Sequence, residues 1–217
     1  MVGWVDALCI LIVFFSLLIL STYRITGMIR IFAAQSFALS FMPLFLHAPA
    51  IAGQDIALFL GTMVLKAILV PCILFWTIRH VSIRSEIKPL IGFGASIVVG
   101  AMLIAVAFWV ASSLKLPGKS VSDMVLPCSL ATVFLGFMMM VTRTRAVTQV
   151  LGYLVMENGL FLFALSLFDA MPVLIEMGIL LDIFVAVFIM AIVVNHINED
   201  FERSAVSSSR SKMGESF

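Results

Sequence analysis

The sequence predicts an all-α polytopic membrane protein with about seven transmembrane helices, and three observations predict it. Of the 217 residues, 63% are hydrophobic and 12% charged, against roughly 45–50% apolar content in soluble domains; the mean hydropathy is +1.20. Apolar segments close to the roughly 20 residues that carry a helix across a ~30 Å hydrocarbon core recur along nearly the whole chain. These runs do not alternate in ten-residue units as barrel strands do.

The helices are expected at about 4–21, 29–46, 56–78, 89–114, 124–141, 146–168 and 172–195. The first is preceded by MVGWVDA, which carries Asp6 and no Lys or Arg, and its apolar run continues to Leu20. It is therefore expected to stay in the membrane, unlike a cleaved signal peptide. HAPAIAGQD separates the second and third helices, LKLPGKS the fourth and fifth, and FDAMP the sixth and seventh. Pro89 and Pro172 suit the first turns of the helices they open. In the fourth helix Gly92, Ser96 and Gly100 form a small-residue ridge expected to let a neighbouring backbone approach. GFG at 92–94 lacks the strand, the third glycine and the acidic follower of a dinucleotide-binding turn. The tail from Ile197, with SAVSSSRSKMGES, is expected to be disordered outside the membrane.

Arg24, Arg30, Arg79, Arg84, Lys88, Arg143, Arg145, Arg203, Arg210 and Lys212 fall on one side of this arrangement, and Lys115 and Lys119 on the other. The crowded side is expected to be cytoplasmic, with the N-terminus outside and the C-terminus cytoplasmic. A net charge of +1 excludes a nucleic-acid surface, which needs clustered cations on a solvent face. Cys9, Cys72 and Cys128 lie in apolar runs without ligand spacing, and are read as small buried hydrophobes with no metal site.

Four ionisable residues remain inside helices: Lys66, Glu157, Glu176 and Asp182. At ~1.5 Å rise per residue, Lys66 is about 15 Å into the third helix, Glu157 about 16 Å into the sixth and Asp182 about 15 Å into the seventh. Glu176 is about one turn from the outer end of its helix. A charge at the bilayer centre costs roughly 2.5–3.5 kcal/mol on insertion scales, so these groups must face one another, an internal water file or a partner. They could be an ion pair that fixes packing. They could equally be a proton relay, since burial raises a carboxyl and lowers a lysine toward neutral pH. Gln149, Tyr153 and Glu157 are spaced by four and share a face. With Asn158 they are candidates to order water beside the relay, or simply to hydrogen-bond between helices.

QVLGYLVMENGLFLFAL, followed by PVLIEMGILLDIFVAVFIMAIVV, together with AAQS at 33–36, KAILVP at 66–71 and EIKPL at 86–90, resembles the hydrogenase-4 component E family of membrane subunits in formate hydrogenlyase-type complexes. The last three helices are similar to the K-type subunit of respiratory complex I and the C-type subunit of multisubunit sodium/proton antiporters. By that likeness two membrane carboxylates fall near Glu157 and on Asp182. A K-type glutamate follows a glycine by two positions, where this chain has Leu154, and Glu157 lies one turn further along the same face. The resemblance divides the chain into a four-helix region (1–114), a three-helix K-type-like region (115–196) and the tail (197–217).

The resemblance implies a subunit without its own active site, in the cell's inner membrane, contributing to a proton or sodium polar axis. It implies antiporter-like and complex I H-type-like membrane partners, with the nickel-iron centre and iron–sulfur clusters in partner subunits and no cofactor in this chain. The alternatives are an adaptor that docks antiporter-like subunits to the catalytic arm, or a subunit of a cation/proton antiporter with no redox partner.

Overall fold

The computed structural model describes residues 2–46, 53–80, 92–114, 122–143 and 145–166. These form α1 (Val2–Ser21), α2 (Ile25–Ser40), α3 (Met42–Leu46), α4 (Gly53–Thr62), a π-helical segment (Met63–Leu69), α5 (Val70–His80), α6 (Phe93–Ser113), α7 (Val125–Thr142) and α8 (Ala146–Ser166). Among the described residues there is no strand, and six helical spans are long and apolar enough to cross a membrane: Gly3–Ser21, Ile25–Leu46, Asp55–Arg79, Gly94–Ser113, Val125–Thr142 and Val147–Ser166. The expected seventh helix, the Pro89 and Pro172 starts and the tail lie outside the described residues.

The second span begins at Ile25, a turn earlier than the expected start at 29. Arg30 is thus inside the helix, on its exposed face, where a long side chain can carry its charge toward the interface. The third span is continuous through α4, the π segment and α5. Its buried line is Leu58, Thr62, Lys66, Val70 and Leu74, each four residues from the next. In a 3.6-residue helix each such step drifts about 40° around the axis. The wider π turn takes that drift back and keeps Lys66 and Leu74 on one face.

The broadest helix contact is α7 against α8. Three glycines allow it. A Cβ on Gly136 would come 2.4 Å from the Met156 amide nitrogen, one on Gly152 2.8 Å from that of Met140, and one on Gly159 2.7 Å from that of Val133. Those obstacles are backbone, so the two helices sit at a distance that side chains would forbid. The expected ridge on α6 packs differently. Gly100 fits against Leu17, Leu20 and Leu135 and Ser96 is buried, but nothing approaches Gly92, so the ridge packs over part of its length and the closer backbone approach is on α7 and α8.

α1 lies against α2, α6 and α7 and is tied to α7 at both ends. Ser122, just before α7, donates a hydrogen bond to Asp6 in the first turns of α1. At the other end Arg143 Nη2 donates to the Leu20 carbonyl (2.6 Å) and the Thr22 carbonyl (3.3 Å), with its guanidinium 5.8 Å from the centre of the Tyr23 ring. The two helices therefore run parallel. Arg143, expected among the aqueous cations, is 2% exposed. Burial pulls its pKa below the usual arginine value, and it places positive charge on the carbonyl end of α1, where the helix dipole favours it. By contrast α6 is peripheral, with Val98, Met102, Val106 and Trp109 exposed; across a membrane such an apolar face meets lipid or a partner.

Candidate ion-relay site

Lys66 stands near the centre of the third span and Glu157 near the centre of the sixth. Their side chains meet: Lys66 Nζ donates to Glu157 Oε1 at 3.3 Å, and each side chain is 2% exposed. The ammonium also lies 5.4 Å from the centre of the Phe161 ring, one turn along α8 from Glu157, where the ring face attracts a cation. Among the described residues Glu157, one of the two midplane carboxylates expected from sequence depth, lies beside Lys66. Asp182 and Glu176 lie outside the described residues.

Lys66 is in the middle of the π segment. The Val70 N–H bonds back five residues to the Leu65 carbonyl, and Pro71, which has no N–H, cannot donate to the Lys66 carbonyl in that register. In a regular α-helix the Pro71 ring would press on the Ala67 carbonyl; the widened turn relieves this. KAILVP thus builds a local distortion under the lysine, and π-bulges of this kind recur at functional sites.

Asn158, fully buried, donates from Nδ2 to Ser36 Oγ at 3.1 Å and so joins α8 to α2. Gln35, also fully buried, donates from Nε2 to Ser16 Oγ (2.8 Å) and to the Ile12 carbonyl (3.3 Å), joining α2 to α1. The expected stripe on α8 changes character along its length. Glu157 is buried, Tyr153 half-buried, and Gln149 exposed, with its amide donating to the Arg143 carbonyl at 3.0 Å. Gln149 therefore braces the turn between α7 and α8 and is not brought to the Lys66–Glu157 pair.

Three curated relatives bear on this arrangement. A protein of Mycobacterium tuberculosis (strain ATCC 25618 / H37Rv) described as uncharacterized is 26% identical over 187 residues, 86% of this chain and 85% of the relative. Hydrogenase-4 component E of Escherichia coli (strain K12) is 28% identical over 137 residues, 63% of this chain and 63% of that protein; the Shigella flexneri protein of the same name matches to the same extent. The chain is similar to hydrogenase-4 component E. No family model and no solved structure matches. With six apolar spans among the described residues, the chain is a multi-pass membrane protein.

Several buried polar residues fall outside the sequence-based set, Asp55, Gln35 and Ser36 among them. Asp55, expected in a loop, is 1% exposed in the first turn of α4. Gln35 and Ser36 were legible as the polar half of AAQS, yet a lone polar residue in an apolar run carries no sign of its partner. Among the described residues no group of three His, Cys, Asp or Glu side chains converges as a metal site requires. Cys9 and Cys128 are buried, whereas Cys72 is exposed, in contrast to the expectation that all three are buried.

Proposed function

We propose that this chain is a non-catalytic membrane subunit of a membrane-bound hydrogenase or related complex I-like assembly, and that Lys66 and Glu157 form one step of its proton-translocating polar axis. The observation that carries the proposal is the fully buried ion pair at mid-span, seated on a π turn. The similarity of the chain to hydrogenase-4 component E supports membership in such an assembly.

The energetics of the pair favour a device over a brace. Two unit charges 3.3 Å apart attract by about 5 kcal/mol at an effective dielectric constant near 20. Placing two charges at the bilayer centre costs roughly 5–7 kcal/mol on insertion scales. The pair comes close to breaking even, so it adds little stability. Its consequence is coupling. Protonating Glu157 removes the negative charge 3.3 Å from Lys66, so a proton settles on the carboxylate more readily as positive charge leaves Lys66 or negative charge arrives nearby. Asp182 and Glu176, in the segment that follows α8, are proposed as further stations from the sequence pattern, and Tyr153 and Asn158 as groups that order water.

In this assembly the hydrogen chemistry, with nickel-iron and iron–sulfur centres, belongs to partner subunits, and this chain contacts antiporter-like and H-type-like membrane subunits in the inner membrane. The cation distribution along the sequence supports an orientation with the N-terminus outside and the C-terminus in the cytoplasm. Affinity purification of the tagged chain from membranes in mild detergent tests membership. Hydrogenase large and small subunits in the purified complex support it; an antiporter set without them, or the chain alone, contradicts it.

A further inference from the structure

We propose that Gln35 and Asn158 hold internal water that carries the polar line from Glu157 across the second span to Ser16 in the first. The proposal rests on the relay reading of Glu157 and assigns its lateral route. Gln35 Oε1 and Asn158 Oδ1 are both buried and accept no hydrogen bond among the described residues. The orientation of Gln35 is fixed by its surroundings, because Nε2 faces the Ile12 carbonyl, which can only accept; the atom left over is the oxygen. Whichever way the Asn158 amide is turned against the Ser36 hydroxyl, one of its two polar atoms remains for a further partner.

An amide oxygen left without a donor inside a membrane span is strongly unfavourable, since no bulk water reaches it. Folded proteins resolve such sites with buried water bonded to two or more polar groups. Chain adjacency brings the parts together. Asn158 follows Glu157 directly, Gln35 precedes Ser36 directly, and the Asn158–Ser36 bond holds the two helices in register. Ser36 Oγ accepts from Asn158 and keeps its own proton to donate onward. Ser16 Oγ accepts from Gln35 and donates to the Ile12 carbonyl at 2.9 Å, closing the line at α1. A proton leaving the Glu157 carboxyl would bond to the first water oxygen while that water releases another proton to its neighbour. The amides are never ionised; they orient the water.

The test uses the whole purified membrane assembly. A cryo-electron microscopy map detailed enough to reveal ordered water is expected to have density within ~3 Å of Gln35 Oε1 and of Asn158; a dry site overturns the proposal. In vesicles, Gln35→Leu in an intact assembly is expected to slow proton transfer by about tenfold, the effect of a modest added barrier. Where Gln35→Leu does not assemble, Ser36→Ala, which deletes one hydroxyl, takes its place with the same direction expected. Wild-type rates in the assembled variant overturn the route. If Glu157→Gln is inactive while Gln35→Leu pumps normally, the route fails and the relay stands; if Glu157→Gln pumps normally, the relay itself fails.

Discussion

Lys66 Nζ and Glu157 Oε1, 91 residues apart in sequence, lie 3.3 Å from each other, and neither side chain is open to its surroundings. Two charges in that position have few ways to change independently, and their replacement therefore separates packing from chemistry.

Lys66→Met and Glu157→Leu made singly are each expected to lower stability by about 3–5 kcal/mol, because each removes one partner of a buried ion pair. The double variant is expected to regain most of that loss while proton transfer stays abolished. Thermal unfolding midpoints of the three proteins in one detergent check this. Additive destabilisation in the double variant would mean that the two charges do not interact.

Pro71→Ala restores an N–H where the third span lacks one, and an α register becomes possible through Lys66. The protein is expected to stay folded, with proton transfer reduced by about tenfold or more, as displacement of a reacting group by about an ångström can cost up to 10²-fold. Unchanged transport together with an unchanged midpoint would separate the π turn from function.

Gly159→Ala places a methyl group 2.7 Å from the Val133 nitrogen and 2.9 Å from the Ser129 carbonyl oxygen. α7 and α8 must part to admit it, two residues from Glu157, and the loss is expected to be about 1–3 kcal/mol. Gly94→Ala, with nothing within 4 Å, is the control and is expected to leave folded yield unchanged. Quantified yield and midpoint of the two variants decide between a glycine-dependent interface and a permissive one.

Arg143→Leu removes the donors to the Leu20 and Thr22 carbonyls, and a destabilisation of about 1.5–3 kcal/mol is expected for loss of a charged hydrogen bond. Arg143→Lys is expected to retain part of it, since an ammonium reaches one carbonyl more readily than two. Equal midpoints for Leu and Lys would show that charge at the end of α1 has no effect.

The six described spans were legible because hydropathy is a property of windows of about twenty residues, and a loop such as HAPAIAGQD interrupts it. Their ends were less so: Arg24 and Arg30 read as one loop, but only the first precedes α2. The site was legible as a set of expensive side chains at common depth. Sequence could not pair Lys66 with one carboxylate over another, because depth fixes one coordinate of three. The π segment had a visible sign in Pro71, five residues after Lys66, and in a buried line that steps by four; both are faint beside a strong helical pattern. Arg143 stands just past a span end, as read from the sequence, but its burial was not legible, because a positive charge there reads as topological whether it is solvated or buried. Gln149, Tyr153 and Glu157 do share a helix face, but burial deepens along it, so the same spacing gives a brace at one end and an ion pair at the other.

The most direct measurement is proton translocation by an assembled complex carrying Glu157→Gln, in sealed vesicles, with the redox reaction monitored in parallel. The amide keeps the shape of the glutamate and can still hydrogen-bond, but it has no titrating proton. A relay through Glu157 requires normal assembly with proton movement reduced by at least about a hundredfold, the low end of what a positioned acid–base group contributes. Wild-type proton movement by the fully assembled variant would contradict it and leave Lys66 and Glu157 as packing alone.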